Sequence, residues 1–143
     1  MPRTVIHFPA HVDFVTDHTV VVGDINAADH LGVDRLFAIV FEAQLRFVSS
    51  LGYPNPRTID GVGYIMADTE SVYRAESKRG DVLQIEVSVD NLHSKGFELL
   101  YRVYNKTRSL EAALIKTGML GFDYDKGCVA ALPDSFFRRF SRA

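Results

Sequence analysis

The sequence has one cysteine, no long apolar run and no excess of charge. The single cysteine, Cys128, cannot form an internal disulfide and suits a reducing compartment. No apolar run approaches the roughly 18 residues that span a membrane, and the N-terminal residues lack the apolar segment of a signal peptide. We therefore expect a soluble cytoplasmic protein with no membrane insertion, folded as one domain over residues 1–143.

Charge is nearly balanced, since 16 Lys and Arg residues oppose 18 Asp and Glu residues. The basic cluster of Arg138, Arg139 and Arg142 near the C-terminus is interpreted as solvated. No basic face follows the predicted strands, so no nucleic-acid partner is indicated. A proline between His7 and His11 excludes the helix that would bring both onto one metal ion, and we predict no metal site.

The strongest pattern in the chain lies in residues 24–52, where a polar loop is followed by a helical pattern. Apolar residues recur at 3.6-residue spacing and cover more than half of the helix circumference. They are Val33, Leu36, Phe37, Ile39, Val40, Phe41, Ala43, Leu45, Phe47, Val48 and Leu51. The helix is predicted to begin within residues 32–34 and to end at Gly52, which prolines follow. A helix this apolar must be enclosed by other elements.

The segments around this helix are predicted to be strands. Residues 19–23 are mostly β-branched and indicate a short buried strand that leads into the polar loop. After residue 62, apolar and polar residues alternate through four long segments separated by turns. The order β-α-β-β-β-β predicts an α+β fold in which an antiparallel sheet curves around the helix. Residues 133–140 are predicted to form a short terminal helix.

Six short motifs are similar, in sequence and in order, to those of one family of enzymes. The motifs are Asp24 to Gly32, Phe41 to Arg46, Leu51-Gly52, Tyr73-Arg74, Gly80-Asp81 and Leu132-Pro133. Over roughly residues 18–136 the chain resembles the hotdog-fold acyl-CoA thioesterases of the 4-hydroxybenzoyl-CoA thioesterase-like group. The resemblance implies a hotdog fold, with an antiparallel β-sheet wrapped around one long central helix.

The resemblance also implies an activity and an assembly. The activity is hydrolysis of a thioester between an acyl group and coenzyme A, with no metal or cofactor beyond the coenzyme A of the substrate. Two subunits would join into one continuous sheet, as a homodimer or homotetramer, with active sites at the subunit interface. Many relatives use an aspartate in the loop before the helix as nucleophile or general base. They polarise the thioester carbonyl with a backbone N–H at the helix start.

One position departs from this pattern. The first acid of the loop motif matches Asp24, but the usual catalytic aspartate is replaced by Asn26. An amide has no basic lone pair near neutral pH, although it can bind a water or a thioester oxygen, or form an Asx turn. Either the base lies elsewhere, or the protein is a binding module that holds thioesters without fast hydrolysis.

His30 and Val33 are the main candidates for the chemistry. Thioester hydrolysis needs a water that is deprotonated and donors aimed at the developing oxyanion. Imidazole, with an ordinary pKa near 6.5, suits the proton transfer. The alternative for His30 is a bracing bond to Asp24 or Asp29. The Val33 N–H, at the start of the helix, is our choice for the oxyanion donor.

Four further residues are candidates with a structural alternative. Glu42 is a helix carboxylate of the kind that other hotdog enzymes use, but a surface pair with Arg46 also explains it. Asp24 would bind substrate or fix the loop. Tyr64 and Thr69 would line the acyl pocket, or pack in the core or a subunit interface. A hydratase or dehydratase, which would pair His30 with Glu42, is a further alternative, although the residue spacing differs from that of hotdog dehydratases.

Overall fold

The computed structural model describes residues 3–142. The strands are β1 (Phe14–Thr19), β2 (Thr58–Ile59), β3 (Val62–Tyr73), β4 (Val82–His93), β5 (Gly96–Asn105), β6 (Leu110–Asp123) and β7 (Cys128–Val129), and the helices are α1 (Val33–Ser50) and α2 (Asp134–Phe140). A 3-10 turn over Val22–Asp24 leads from β1 toward the loop before α1. Within the described residues, no helix combines the length and the apolarity needed to cross a membrane.

All strands belong to one antiparallel sheet with the order β1-β4-β5-β6-β3-β2, and β7 pairs with the end of β6. Strands β4, β5 and β6 follow one another through short hairpins, whereas β3 lies on the far side of β6. Strand β2 covers only the first two residues of β3. The rest of that edge of β3 therefore has no neighbouring strand within residues 3–142.

Helix α1 packs on the inner face of the sheet. Its buried side chains are Leu36, Ile39, Val40, Ala43, Phe47 and Val48. They share one core with alternate residues of β4 and β5, namely Leu83, Ile85, Val87, Val89, Leu99, Tyr101 and Val103. This packing removes the apolar stripe of the helix from water, which is the main stabilising contribution. The predicted α+β fold, with an antiparallel sheet around one long helix, is confirmed.

The opposite side of α1 is not covered by the described chain. Phe41 is 40% exposed and Leu45 is 39% exposed. The expectation that the chain's own strands enclose the whole helix is therefore wrong. The sheet curves around one side only, because its far strand, β3, is separated from β1 by the width of three strands. Phe41 and Leu45, which we call the helix patch, are an apolar surface of the kind that often marks an interface.

The first strand lies earlier than the sequence predicted. Residues 19–23 were expected to form it, but β1 is Phe14–Thr19, paired with β4. Val20 is buried after the strand ends, and Val21 and Val22 are exposed. The Asp24 carboxylate accepts a hydrogen bond from the Val21 N–H at 3.0 Å. The Val21 N–H, which a strand would have used for pairing, is thus bound by a side chain. This hydrogen bond favours a turn although the residues are β-branched.

The N-terminal segment around Ile6 and the C-terminal helix both pack against the sheet. Ile6 is buried on the outer face against Leu100 and Leu114. Helix α2, predicted from residues 133–140, is confirmed as Asp134–Phe140. Its Phe136 and Phe140 rings lie 4.8 Å apart in the main core. Because α2 closes the end of the core beyond the C-terminus of α1, it leaves the N-terminal end of α1 open.

Helix α1 ends at the predicted glycine. Gly52 has a φ of +88°, and its N–H donates to the Ser49 carbonyl oxygen at 3.2 Å. A Cβ added at Gly52 would meet no atom within 4 Å. The backbone conformation alone therefore favours glycine at this position.

Replacing Gly52 by alanine should lower the free energy of unfolding by about 1 kcal/mol, because an L side chain is strained at positive φ. Gly23→Ala is the matched control, since a Cβ there also meets nothing within 4 Å and Gly23 is not among the positive-φ glycines. Gly23→Ala should be neutral or slightly stabilising. Urea denaturation of both variants measures the difference, and equal losses would contradict the assignment.

Candidate active site

A cavity of about 280 Å³ lies between the start of α1, the end of β3 and the segment that follows β3. It is lined by His30, Leu31, Val33, Leu36, Tyr73, Arg74, Ala75, Glu76, Ser77, Val103 and Ala112. Leu36, Val103 and Ala112 are buried and give the cavity an apolar wall. His30, Arg74 and Glu76 add titratable and charged groups. An apolar pocket with a few polar groups is the usual form of a small-molecule site.

The start of α1 forms one wall of this cavity. The N–H of the first helical residue, Val33, has no acceptor within the helix. The residue before it, Gly32, makes no side-chain cap. A Cβ on Gly32 would lie 2.5 Å from Asp34 Oδ1 and 3.4 Å from Asn26 Cβ, so a larger residue would have to displace the Asp34 carboxylate. Glycine offers no side-chain acceptor at the helix start, and Val33 is among the residues that line the cavity.

His30 lies at the cavity and is only partly buried. Its Nδ1 is 3.1 Å from the Leu31 carbonyl oxygen. A carbonyl oxygen can only accept, so Nδ1 carries the hydrogen, and the neutral imidazole has its lone pair on Nε2. Nε2 lies 3.8 Å from Glu76 Oε1. The predicted alternative, a bracing bond to Asp24 or Asp29, is not what is observed, because the imidazole turns toward the segment that follows β3.

Asn26 forms an Asx turn within the loop. Its Oδ1 accepts from the Ala28 N–H at 3.0 Å and from the His30 N–H at 3.4 Å. Asn26 is exposed and is not among the residues that line the cavity. The contacts of its side-chain oxygen therefore agree with the structural alternative: Asn26 braces the loop that carries His30.

Asp24 joins three elements at a buried point. Its side chain is 3% exposed, and Oδ2 accepts from the Val21 N–H at 3.0 Å and from His18 Nε2 at 2.9 Å. Oδ1 lies 3.6 Å from Arg35 Nε in the first turns of α1. Asp24 does not line the cavity, so the predicted contact with substrate is not supported here. His18 was not predicted, because its position depends on the turn after β1.

A second buried carboxylate, Asp81, fixes the opposite wall. It accepts from the Lys78 N–H at 2.9 Å, from Asn105 Nδ2 at 2.9 Å and from Arg108 Nε at 2.7 Å. Asn105, which is fully buried, also donates to Ser77 Oγ at 3.1 Å. These bonds hold residues 77 and 78 against the end of β5.

This wall in turn holds the loop before α1. The Ser77 carbonyl oxygen accepts from the Leu31 N–H at 2.8 Å. Lys78 Nζ donates to the Asp29 carbonyl oxygen at 3.2 Å. Asp29 has a φ of +65°, which the two flanking contacts help to maintain. The cavity is therefore bounded by two segments that are bonded to each other.

Three other predicted site residues lie outside the cavity. Glu42 Oε2 accepts from Arg46 Nε at 3.2 Å, the surface pair that the helical spacing also explained. Tyr64 is buried and donates its hydroxyl to the Pro56 carbonyl oxygen at 2.8 Å. Thr69 is exposed on β3. Within one chain, the structure brings together His30 and Val33 of the predicted set at this cavity. Glu42 lies later on α1 and, with Asp24, lines a separate cavity of about 170 Å³. Tyr64 and Thr69 lie earlier on β3 than the cavity.

Sequence reasoning missed Glu76 and Ser77. Tyr73-Arg74, which precede them, belong to one of the motifs, and this was the available signal. The residues between that motif and Gly80-Asp81 have no periodic pattern that would place them. Their position at the cavity follows from the hydrogen bond between Ser77 and Leu31 and from the bond that the next residue, Lys78, donates to Asp81.

An antiparallel sheet curled around one long helix, with a polar loop at the helix start, is the hotdog fold. The model of the thioesterase-like superfamily matches residues 20–140. The chain therefore belongs to the thioesterase-like superfamily, and this membership supports thioester hydrolysis as its general activity. No curated protein matches the chain.

Solved structures share the fold. A gentisyl-coenzyme A thioesterase is 23% identical, with a TM-score of 0.75 over 86% of this chain and 98% of that chain. A 1,4-dihydroxy-2-naphthoyl-CoA thioesterase from Synechocystis is 15% identical, with a TM-score of 0.75 over 86% and 91%. A protein from Staphylococcus aureus in complex with CoA is 19% identical, with a TM-score of 0.79 over 92% and 85%.

The two buried carboxylates should make stability sensitive to acid. Burial raises the pKa of Asp81, but its bonds to Lys78, Arg108 and Asn105 outweigh this and lower the pKa below 3.8. The pKa of Asp24 is also lowered, because the bonds from Val21 and His18 and the charge of Arg35 outweigh burial. A lowered pKa in the folded state contributes stability above the unfolded value, and this contribution is lost as pH falls through the folded value.

We therefore expect the free energy of unfolding to decline below about pH 4. Asp81→Asn should be less stable than the wild type at pH 7 and should show a shallower decline in acid. Asp17→Asn, which removes an exposed carboxylate paired with Lys106, is the control and should keep the wild-type slope. Urea denaturation from pH 7 to pH 2.5 measures the slopes, and an unchanged slope in Asp81→Asn would contradict the assignment.

Proposed function

We propose that the protein hydrolyses acyl-CoA thioesters to a free acid and coenzyme A. The observation that carries the proposal is the cavity at the start of α1, which both Val33 and His30 line. The amide supplies a fixed donor for an oxyanion, and the imidazole supplies a base. No metal or cofactor is needed beyond the coenzyme A of the substrate.

The reaction begins when the thioester carbonyl oxygen accepts a hydrogen bond from the Val33 N–H. His30 Nε2 removes a proton from a water, whose oxygen attacks the carbonyl carbon. The Val33 amide and the positive end of the helix stabilise the negative oxygen of the tetrahedral intermediate. When the carbon–sulfur bond breaks, the imidazolium returns its proton to the sulfur of coenzyme A. The products are the carboxylic acid and the free thiol.

The cavity and the related folds support the proposed substrate class. Leu36, Val103 and Ala112 would contact the acyl group, because they form the apolar wall. Two proteins of the same fold are named as thioesterases of aromatic acyl-CoA substrates, and a third binds CoA. These names support a coenzyme A thioester as the substrate of this chain. A reducing, cytoplasmic location belongs to the same proposal and suits the single Cys128.

The proposed assembly is a homodimer that joins two β3 edges into one continuous sheet, with a homotetramer formed from two such dimers as the larger alternative. Past the two residues that pair with β2, one edge of β3 is without a strand neighbour in residues 3–142. The helix patch, Phe41 and Leu45, is also exposed. Pairing would cover both features. It would also bring the exposed Thr69 to a subunit interface, where contact with an acyl group becomes available.

Release of free thiol from a panel of aryl and fatty acyl-CoA thioesters tests the activity. His30→Ala should lower kcat by about 100-fold or more, because the general base is lost. His7→Ala is the control, since His7 is exposed on the N-terminal arm outside the cavity, and it should keep wild-type kcat. No thiol release above buffer from a folded wild type would contradict the proposal.

The same assay separates the alternatives. Asn26→Asp keeps the acceptor that forms the Asx turn and restores the usual loop carboxylate. Tight acyl-CoA binding by the wild type with turnover only in Asn26→Asp would favour the non-catalytic binding module. Addition of water to an enoyl-CoA, measured as a change in the absorbance of the enoyl-CoA, would favour the hydratase.

Leu45→Asp should dissociate the proposed dimer, because it places a charge in an apolar interface. Val129→Asp is the matched control, since Val129 is 41% exposed and Leu45 is 39% exposed. Val129 lies on β7, away from the helix patch, and its substitution should leave the mass unchanged. Sedimentation velocity measures the mass of each protein, and a monomeric wild type would contradict the proposed assembly.

A further inference from the structure

The cavity contains a carboxylate that the loop motif does not supply. Among the residues that line the cavity, only Glu76 has a carboxyl group. It lies between the end of β3 and Ser77, on the wall opposite the start of α1. Because Asn26 replaces the usual loop aspartate, residue 26 supplies no negative charge to the reacting water in the proposed reaction.

The Glu76 carboxylate lies between a cation and an imidazole. Oε2 is 3.7 Å from Lys78 Nζ, and Oε1 is 3.8 Å from His30 Nε2. Since His30 Nδ1 donates to the Leu31 carbonyl oxygen, Nε2 of the neutral imidazole is an acceptor. A carboxylate is an acceptor as well. Two acceptors cannot bond to each other, so a donor between them satisfies both.

A single water could bridge these two acceptors. With hydrogen bonds of about 2.8 Å to each, one water spans the 3.8 Å between Nε2 and Oε1. It donates one hydrogen to His30 and the other to Glu76. Both donor hydrogens are then occupied, and a lone pair of the water oxygen remains free to attack a carbonyl carbon.

Of the other carboxylates near the loop, Asp24 and Glu42 are already engaged, and Asp29 and Asp34 are not among the residues that line the cavity. Both oxygens of Asp24 face His18, Val21 and Arg35 in a buried position. Glu42 pairs with Arg46 on the exposed side of α1. Neither residue lines the cavity. Glu76 is therefore the carboxylate with access to a water in this pocket.

The two acceptors are held on segments that are bonded to each other. His30 precedes Leu31, whose N–H donates to the Ser77 carbonyl oxygen at 2.8 Å, and Ser77 follows Glu76. Asp81 and Asn105 fix the same wall through Ser77 and Lys78. A site on two mutually bonded segments keeps its spacing without substrate, as a pre-organised water site requires.

We propose that Glu76 is a second catalytic residue, which holds the attacking water together with His30. The inference rests on the proposed hydrolysis. The proton removed from the water goes to His30 Nε2, and the new bond forms between the water oxygen and the carbonyl carbon. Glu76 accepts the other hydrogen of the same water without taking it, and its negative charge stabilises the imidazolium beside it. The carbon–sulfur bond then breaks, and the proton passes from His30 to the thiolate.

Glu76→Gln is the main test, because it keeps the size of the side chain and removes its charge. We expect kcat for acyl-CoA hydrolysis to fall about 100-fold, with KM changing less than about threefold, since the loss affects the transition state rather than binding. Glu76→Asp keeps the charge on a shorter side chain and should retain more of kcat than Glu76→Gln.

Asp17→Asn is the matched control, because Asp17 is an exposed carboxylate paired with a lysine, Lys106, as Glu76 is with Lys78. Asp17 lies outside the cavity, and its variant should keep both kcat and KM. Thermal unfolding of all variants reports whether they are folded. Glu76 has a side chain that is 63% exposed, so the melting temperature of Glu76→Gln should match that of the wild type.

The possible outcomes separate the two proposals. If Glu76→Gln keeps kcat within about twofold of the wild type while His30→Ala loses activity, the role of Glu76 is wrong and hydrolysis stands. A rise in KM at unchanged kcat would assign Glu76 to binding and also overturn the inference. A folded wild type that hydrolyses no acyl-CoA would overturn both proposals.

Discussion

The bonds of the Asp24 carboxylate are the constraint on which the start of α1 depends. One oxygen receives the Val21 N–H and His18, and the other faces Arg35. The backbone carbonyl of Asp24 also accepts from the Gly32 N–H at 3.1 Å. The first strand, the turn and the helix are thereby joined at one buried residue. If that junction moved, the uncapped amide of α1 would move with it, because no side chain of Gly32 holds the helix start.

Asp81 plays the corresponding part on the other wall. Its three donors come from the turn before β4, from the end of β5 and from the turn before β6. The wall it fixes then binds the loop through Ser77 and Lys78. When all the hydrogen bonds of a buried carboxylate are satisfied, its burial costs little folding free energy. Removing one partner costs much more, because the buried charge then lacks that hydrogen bond. Asp24 and Asp81 fix opposite sides of the cavity in this way. The shape of the cavity is therefore set by buried hydrogen bonds of the fold and not by a flexible loop.

Local patterns predicted the parts of the structure that depend on neighbouring residues. The 3.6-residue period gave α1 within one or two residues, and the alternation after residue 62 gave the four long strands. The position of β1 could not be predicted, because it depends on Asp24 reaching back to the Val21 amide. The exposed side of α1 was missed since periodicity reports which residues are apolar and not how far a sheet extends. Of the site, His30 and Val33 were accessible from the loop motif, whereas Glu76 reaches the cavity through long-range bonds.

The departure at Asn26 has a consistent physical explanation in this arrangement. Its side-chain oxygen accepts from two backbone N–H groups of the loop, a task that an uncharged amide can perform. In the proposed reaction the charge that the water needs comes from Glu76, across the cavity from the Val33 amide. The acceptors of the water and the donor of the oxyanion then lie on different walls. In this arrangement the Glu76 carboxylate and the oxyanion are therefore on different sides of the substrate carbonyl.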